Sequence, residues 1–198
     1  MSLLASSPSG AMSWDPVHDS RRAFLCCMRA QCAPGTAVGP VPLPGLVADP
    51  RIDAAAAVLL TLLDATTPVA SCGTAAGEAV AAVRALTGSP LTGLPEAEFV
   101  LVTGDPAEAI RRAPRGDRDR PERGATVVVV AADVRETLTL AGPGIPGRRS
   151  SAVALGGDAR RERERANRAL PCGVDLLLVG DDGVLALPRS VTIVEGAA

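Results

Sequence analysis

Twenty arginines, one histidine and five cysteines carry most of the chemistry open to this chain, which has no lysine and no tyrosine. Without a lysine there is no Schiff-base nitrogen for pyridoxal phosphate and no Walker lysine for a P-loop, so the chain alone can build neither mechanism. A serine-histidine triad would have to use His18, which stands at the start of a helical pattern and near no nucleophile motif. Arginines, in contrast, hold anions well, because a guanidinium matches phosphate or carboxylate with two parallel hydrogen bonds. Arg22, Arg148 and Arg189 are candidates for such clamps, with Asp175 as a candidate base. An aspartate opening an apolar run serves equally well as a turn or cap residue, and a solvated helix face is the simpler account of Arg22. Three readings stay open at this level: a non-catalytic protein, a free-standing enzyme acting on a phosphorylated ligand, and an anion-binding regulatory module.

The other constellations are weaker. Cys26, Cys27, Cys32, Cys72 and Cys172 include no Cys-x-x-Cys pair, and adjacent cysteines on a helix point about 100° apart, so free buried thiols are expected and no metal. The loop Gly142-Pro143-Gly144-Ile145-Pro146-Gly147 invites comparison with a phosphate cradle. Its two prolines remove N–H donors such a cradle would use, although Arg148 and Arg149 follow directly. From Ala113 to Gly124 four arginines face three acids, the composition of a solvated loop of alternating charge. Glu122 and Arg123 at its end mark either a functional edge or an ordinary loop end.

These residues must be positioned by elements the sequence announces. Val174–Val179, an Asp-Asp-Gly turn and Val184–Leu187 form the pattern of a hairpin that Pro188 terminates, and its near-continuous hydrophobicity requires cover on both faces. Asp15-Pro16, Asp49-Pro50 and Asp105-Pro106 repeat one helix-start device, a capping aspartate before a proline. The first helix should bury Leu25, Met28 and Cys32 and end at Pro34-Gly35; the second should reach Asp64 and be apolar almost all round. Short strands are expected at Pro68–Cys72 and Phe99–Thr103, with a helix over Glu78–Leu86 between them. Ala125–Ala132, with four consecutive valines, reads as a buried strand with Thr137–Ala141 as its partner. Asp158–Leu170 reads as a charged, solvated helix in which Glu162 and Glu164 meet arginines three and four positions on. The sum is a three-layer α/β/α domain with a mixed sheet over residues 14–198, preceded by a loose segment at 1–13.

Four phrases also carry a resemblance. Pro171-Cys172-Gly173-Val174-Asp175-Leu176 followed by Ala186-Leu187-Pro188-Arg189, with Asp19–Gly35, Leu59–Val69 and Leu138–Ile145 in order before it, resembles the H-subunit (PhnH) family of bacterial carbon–phosphorus lyase. Pro121-Glu122-Arg123-Gly124-Ala125-Thr126 agrees with it as well, and the resemblance places a matching arginine at Arg22. It implies a fold similar to the large domain of pyridoxal-phosphate-dependent transferases without that cofactor, so no cofactor is expected. It also implies homodimers when alone and assembly with the G, I and J subunits in organic phosphonate catabolism. The family is needed where a phosphonate displaces adenine from ATP to give ribose 1-phosphonate 5-triphosphate, with the chemistry on the I subunit. Cys172, where the family has a larger apolar residue, and the highly charged 113–120 loop depart from the pattern.

Composition agrees with such a role. With 47% hydrophobic but only 2% aromatic residues, the core must be built from alanine, valine and leucine. A net charge of −2 predicts no general affinity for nucleic acid or anionic membrane. No apolar run approaches the roughly 20 residues of a membrane helix, and the N-terminus lacks the order of a signal peptide, so a cytoplasmic location is expected.

Overall fold

A computed structural model describes residues 14–194; the expected loose segment at 1–13 lies outside the described residues. The chain begins with α1 (His18–Cys32) and α2 (Pro50–Leu62). Asp15 accepts the backbone N–H groups of Val17 and His18, both at 2.8 Å, so the expected cap acts one turn ahead of the regular helix. Asp49 caps α2 through Arg51 and Ile52. Asp53, one turn into α2, is buried and its carboxylate accepts the N–H groups of Gly45, Leu46 and Val47, which fixes the loop that leads into the helix.

Five strands make the central sheet, in the order β1 (Val69–Cys72), β2 (Phe99–Thr103), β3 (Thr126–Val130), β6 (Asp175–Gly180) and β7 (Gly183–Leu187). The first four are parallel, and β7 returns antiparallel from β6 as the hairpin pattern requires. Gly183 takes φ +108 beside the Val38 carbonyl, and Val38 pairs with Val184 to occupy the outer edge of β7. One face of the sheet packs on α1, α2 and α3 (Thr74–Thr87). The other packs on α4 (Ala107–Arg112), on α5 (Gly157–Ala166) and on a second, three-stranded antiparallel sheet. Since β1, β2 and β3 step one way across the sheet while α3 and α4 lie on opposite faces, the two crossovers have opposite hands. One of them has the rare left-handed sense, which loop contacts must enforce.

Three expectations are corrected. Thr137–Ala141 does not pair with the valine strand; it lies in β4 (Glu136–Gly142), the centre of the second sheet between β5 (Ile145–Val153) and β8 (Thr192–Val194). Only Leu138 and Leu140 of β4 are fully buried, the alternation of a strand covered on one face, whereas β3 is buried on both. The Gly142–Gly147 stretch is accordingly no loop: Pro143-Gly144 is a tight turn with Gly144 at φ +82, and Arg148 and Arg149 are strand residues. The face that α1 buries is also different. Ala23, Cys26, Cys27 and Ala30 turn inward, while Cys32 is exposed and Phe24 and Met28 remain 44% and 46% exposed. Small residues face inward because α1 lies directly against the alanine-rich α2 and against β7. No helix among the described residues is long and apolar enough to cross a membrane.

The thiols follow that geometry. Burial raises Cys26 and pushes Cys27 up to about 12, which suppresses their thiolate forms, whereas Cys32 is open to solvent. With a thiol reagent such as Ellman's at pH 8, Cys32 should react first and Cys26 and Cys27 only after unfolding in denaturant, a difference read directly from the titrated stoichiometry.

Candidate functional site

At the foot of the sheet, where β6 begins and β7 ends, Asp175 and Arg189 meet. The Arg189 Nε and Nη2 donate to Asp175 Oδ2 at 3.0 and 2.6 Å, and the Arg189 backbone N–H donates to Oδ1 at 2.6 Å. Nη1 reaches the carbonyls of Pro121 and Pro171, at 2.7 and 3.4 Å, and Nη2 that of Gly124 at 3.1 Å. The guanidinium thus makes as many bonds as it has N–H groups, and nothing remains to grip an incoming anion. Both side chains are largely buried, at 16% and 18% exposure. Gly124 is required here, since a Cβ on it would collide with the Arg189 guanidinium and the Gly173 carbonyl. The family-like stretches that contain Gly124, open at Pro171 and close at Arg189 therefore meet in one joint.

The joint extends to α5. Asn167, at its C-terminal end, pairs with both backbone groups of Val174, its Oδ1 accepting the N–H at 2.8 Å and its Nδ2 donating to the carbonyl at 3.2 Å. One turn earlier, Arg163 is 3% exposed and its Nη2 donates to the carbonyls of Leu187, Pro188 and Val191. Sequence reasoning treated the whole of α5 as solvated and missed this residue. The available signal was its spacing: Ala159, Arg163 and Ala166 share one face, and the two alanines are the only apolar residues of the helix.

Between α5 and the segment 189–193 lies a groove of about 710 Å³. Arg160, Arg161, Arg163, Arg168 and Arg189 line it, with Glu164 as the acid among them. Four of these arginines have a carboxylate: Arg160 has Glu136 at 3.3 Å, Arg161 has Asp158, Arg168 has Glu164 at 3.8 Å and Arg189 has Asp175. Arg163 has none, and its buried Nε has no hydrogen-bond partner. Desolvation pushes its guanidinium down to about 10, with the charge of Asp175 acting the other way.

The remaining sequence candidates do not converge on this groove. Arg22 lies on α1, 59% exposed, with Asp19 at 3.3 Å. Glu122 and Arg123 are exposed in the short turn Pro121–Arg123, whose backbone carries the Arg189 contact, and Arg148 is exposed on β5. Its neighbour Arg149 donates from Nη1 to the Pro34 carbonyl at 3.1 Å and to the Thr36 hydroxyl, part of a second joint. There the Gly35 N–H donates to the Ala186 carbonyl, and a Cβ on Gly144 would stand 2.6 Å from the Cys32 carbonyl. Among the described residues no three histidine, cysteine or acidic side chains gather as a metal set.

Residues 11–194 match the family model described as bacterial phosphonate metabolism protein (PhnH). The alpha-D-ribose 1-methylphosphonate 5-triphosphate synthase subunit PhnH of Rhizobium meliloti (strain 1021) is 31% identical over 193 residues, which cover 93% of this chain and 94% of that protein. The putative C-P lyase subunit protein HtxG of Stutzerimonas stutzeri is 38% identical over 101 residues, or 49% of this chain and 51% of the relative, about half the length of each.

The foot of the sheet yields a test. Removing one partner of a buried, hydrogen-bonded pair costs about 3–5 kcal/mol. Arg189→Gln should lose that much in urea denaturation, and Arg189→Lys should recover little of it, because an ammonium has three donors on one nitrogen in place of five spread over a planar fork. Combined with Asp175→Asn, the loss should be well below the sum of the two single effects.

Proposed function

The chain belongs to the bacterial phosphonate-metabolism PhnH family, and from that premise we propose that it is an accessory subunit of a carbon–phosphorus lyase assembly. In this reading it joins the G, I and J subunits and is needed where a phosphonate displaces adenine from ATP, giving ribose 1-phosphonate 5-triphosphate, without itself carrying the reacting groups. The observation that carries it is the end-to-end match to a synthase subunit, 94% of whose length is covered. Supporting it, the family-like phrases close packing joints: Asp175 and Arg189 are consumed by each other and by backbone carbonyls. The exposed candidates Arg22, Glu122, Arg123 and Arg148 are then partner-facing residues. The same reading takes the chain as cytoplasmic and as a homodimer when alone. It relates the mixed sheet, covered on both faces, to the large domain of pyridoxal-phosphate-dependent transferases, here with no lysine to hold that cofactor.

Co-expression with the G, I and J subunits of the same organism, purified through a tag on one of them, tests the assignment. The expected result is co-elution of this chain in fixed stoichiometry, with phosphonate-dependent release of adenine from ATP only when it is present. A complex of the other three that forms and works without it would overturn the subunit reading. Turnover of phosphonate and ATP by this chain alone would favour the free-standing enzyme instead.

A further inference from the structure

We propose that the groove between α5 and the segment 189–193 binds a small organic phosphate, with Arg163 as the positive charge at its floor. A volume of about 710 Å³ lies within the range of small-molecule sites, on the order of 300–1,000 Å³. Its lining combines arginines with an apolar wall of Leu170, Val191 and Ile193, which suits a ligand having an anionic end and an apolar body. Charge accounting favours an anion. The five lining arginines are met by Glu136, Asp158, Glu164 and Asp175, leaving one positive charge uncompensated, and that charge is the buried one. A buried cation without a carboxylate is costly unless something supplies negative charge. The carbonyls of Leu187, Pro188 and Val191 do so for Nη2, while Nε remains unpartnered. Arg160, Arg161 and Arg168, at 37%, 65% and 70% side-chain exposure, form the mouth, where their surface carboxylate partners can be exchanged for phosphate oxygens at small cost. Arg189, its donors all engaged, shapes the wall without gripping.

Titration calorimetry on the isolated chain tests this with phenyl phosphate, inorganic phosphate and potassium chloride at matched ionic strength. Phenyl phosphate should bind saturably at one site per chain and about tenfold more tightly than inorganic phosphate, the difference reporting the apolar wall. Arg160→Gln with Arg168→Gln, both at the surface and expected to leave thermal unfolding unchanged, should weaken phenyl phosphate at least about tenfold. Arg163→Gln should abolish saturable binding if it folds, and the mouth variants keep the test valid if it does not. Leu170→Asp should reduce the preference for phenyl phosphate while leaving inorganic phosphate less affected. Heats equal to those of chloride, or phosphate affinities unchanged in the Arg160 and Arg168 double variant, would overturn the proposal. Because binding is read on the isolated chain and subunit function on the assembly, either proposal can fail without the other.

Discussion

One guanidinium holds the foot of this molecule together. Arg189 bonds the carboxylate that opens β6, the turn that precedes β3 and the chain that leaves α5, so three separate segments share a single rigid hub. Arginine is suited to this because its planar fork can serve five acceptors at once, and because its charge is met by an aspartate held equally deep. The connection from α4 to β3 runs through residues 113–125, and both ends of that connection are tied: Pro114 and Arg115 accept the N–H groups of Ala125 and Gly173, and Pro121 and Gly124 accept Arg189. A charged loop with no apolar anchors of its own is thereby fixed by backbone bonds at its base.

A second joint does the same at the other end of the small sheet. The Pro143-Gly144 turn lies against the carbonyl end of α1, where a Cβ on Gly144 would meet Cys32 and Pro34, and Arg149 adds a bond to the Pro34 carbonyl. Gly35, at φ +77, leaves no room for a side chain between Leu140 and Ser151 and donates to Ala186 of β7. The small sheet is therefore fixed to α1 and β7 at one end, while at the other β8 borders the α5 groove. Phrases that resemble a family often mark a reactive centre, but here they mark the places where layers lock.

Much of this was legible in the residues. The hairpin at Val174–Leu187, the strand Phe99–Thr103 and the caps at Asp49 and Asp105 follow from patterns within a few residues, and the structure realises each. What escaped was set by tertiary approach. Large apolar residues on α1 suggested a face at Leu25 and Met28, but close helix packing selected the alanines and cysteines, so size gave way to shape. β4 pairs with β5 across the Pro143-Gly144 turn, and Pro146 and Gly147 at the start of β5 made that strand read as a continuation of the loop. Arg189 was singled out as an anion clamp and Asp175 as a base because their types suit that chemistry. Only the fold shows that they answer one another.

The two buried arginines at the foot differ in a way that magnitudes make informative. For Arg189 a carboxylate and five hydrogen bonds repay desolvation, and the pair would stand with no ligand at all. Arg163 has three carbonyls on one nitrogen and a place in the last turn of α5, where the helix dipole favours a cation by about 0.3–1 kcal/mol at the surface and up to about 2 when partly buried. The three carbonyls converge because β7 stops at Pro188 and the chain turns back toward Val191, whose N–H bonds to Pro188. Capping them does not require a charge, since a neutral amide could donate to two of the three. A charge there costs several kcal/mol of desolvation that the dipole covers only in part. The residual is one unit of positive charge beside a groove of ligand size, which an oxyanion in the groove can offset.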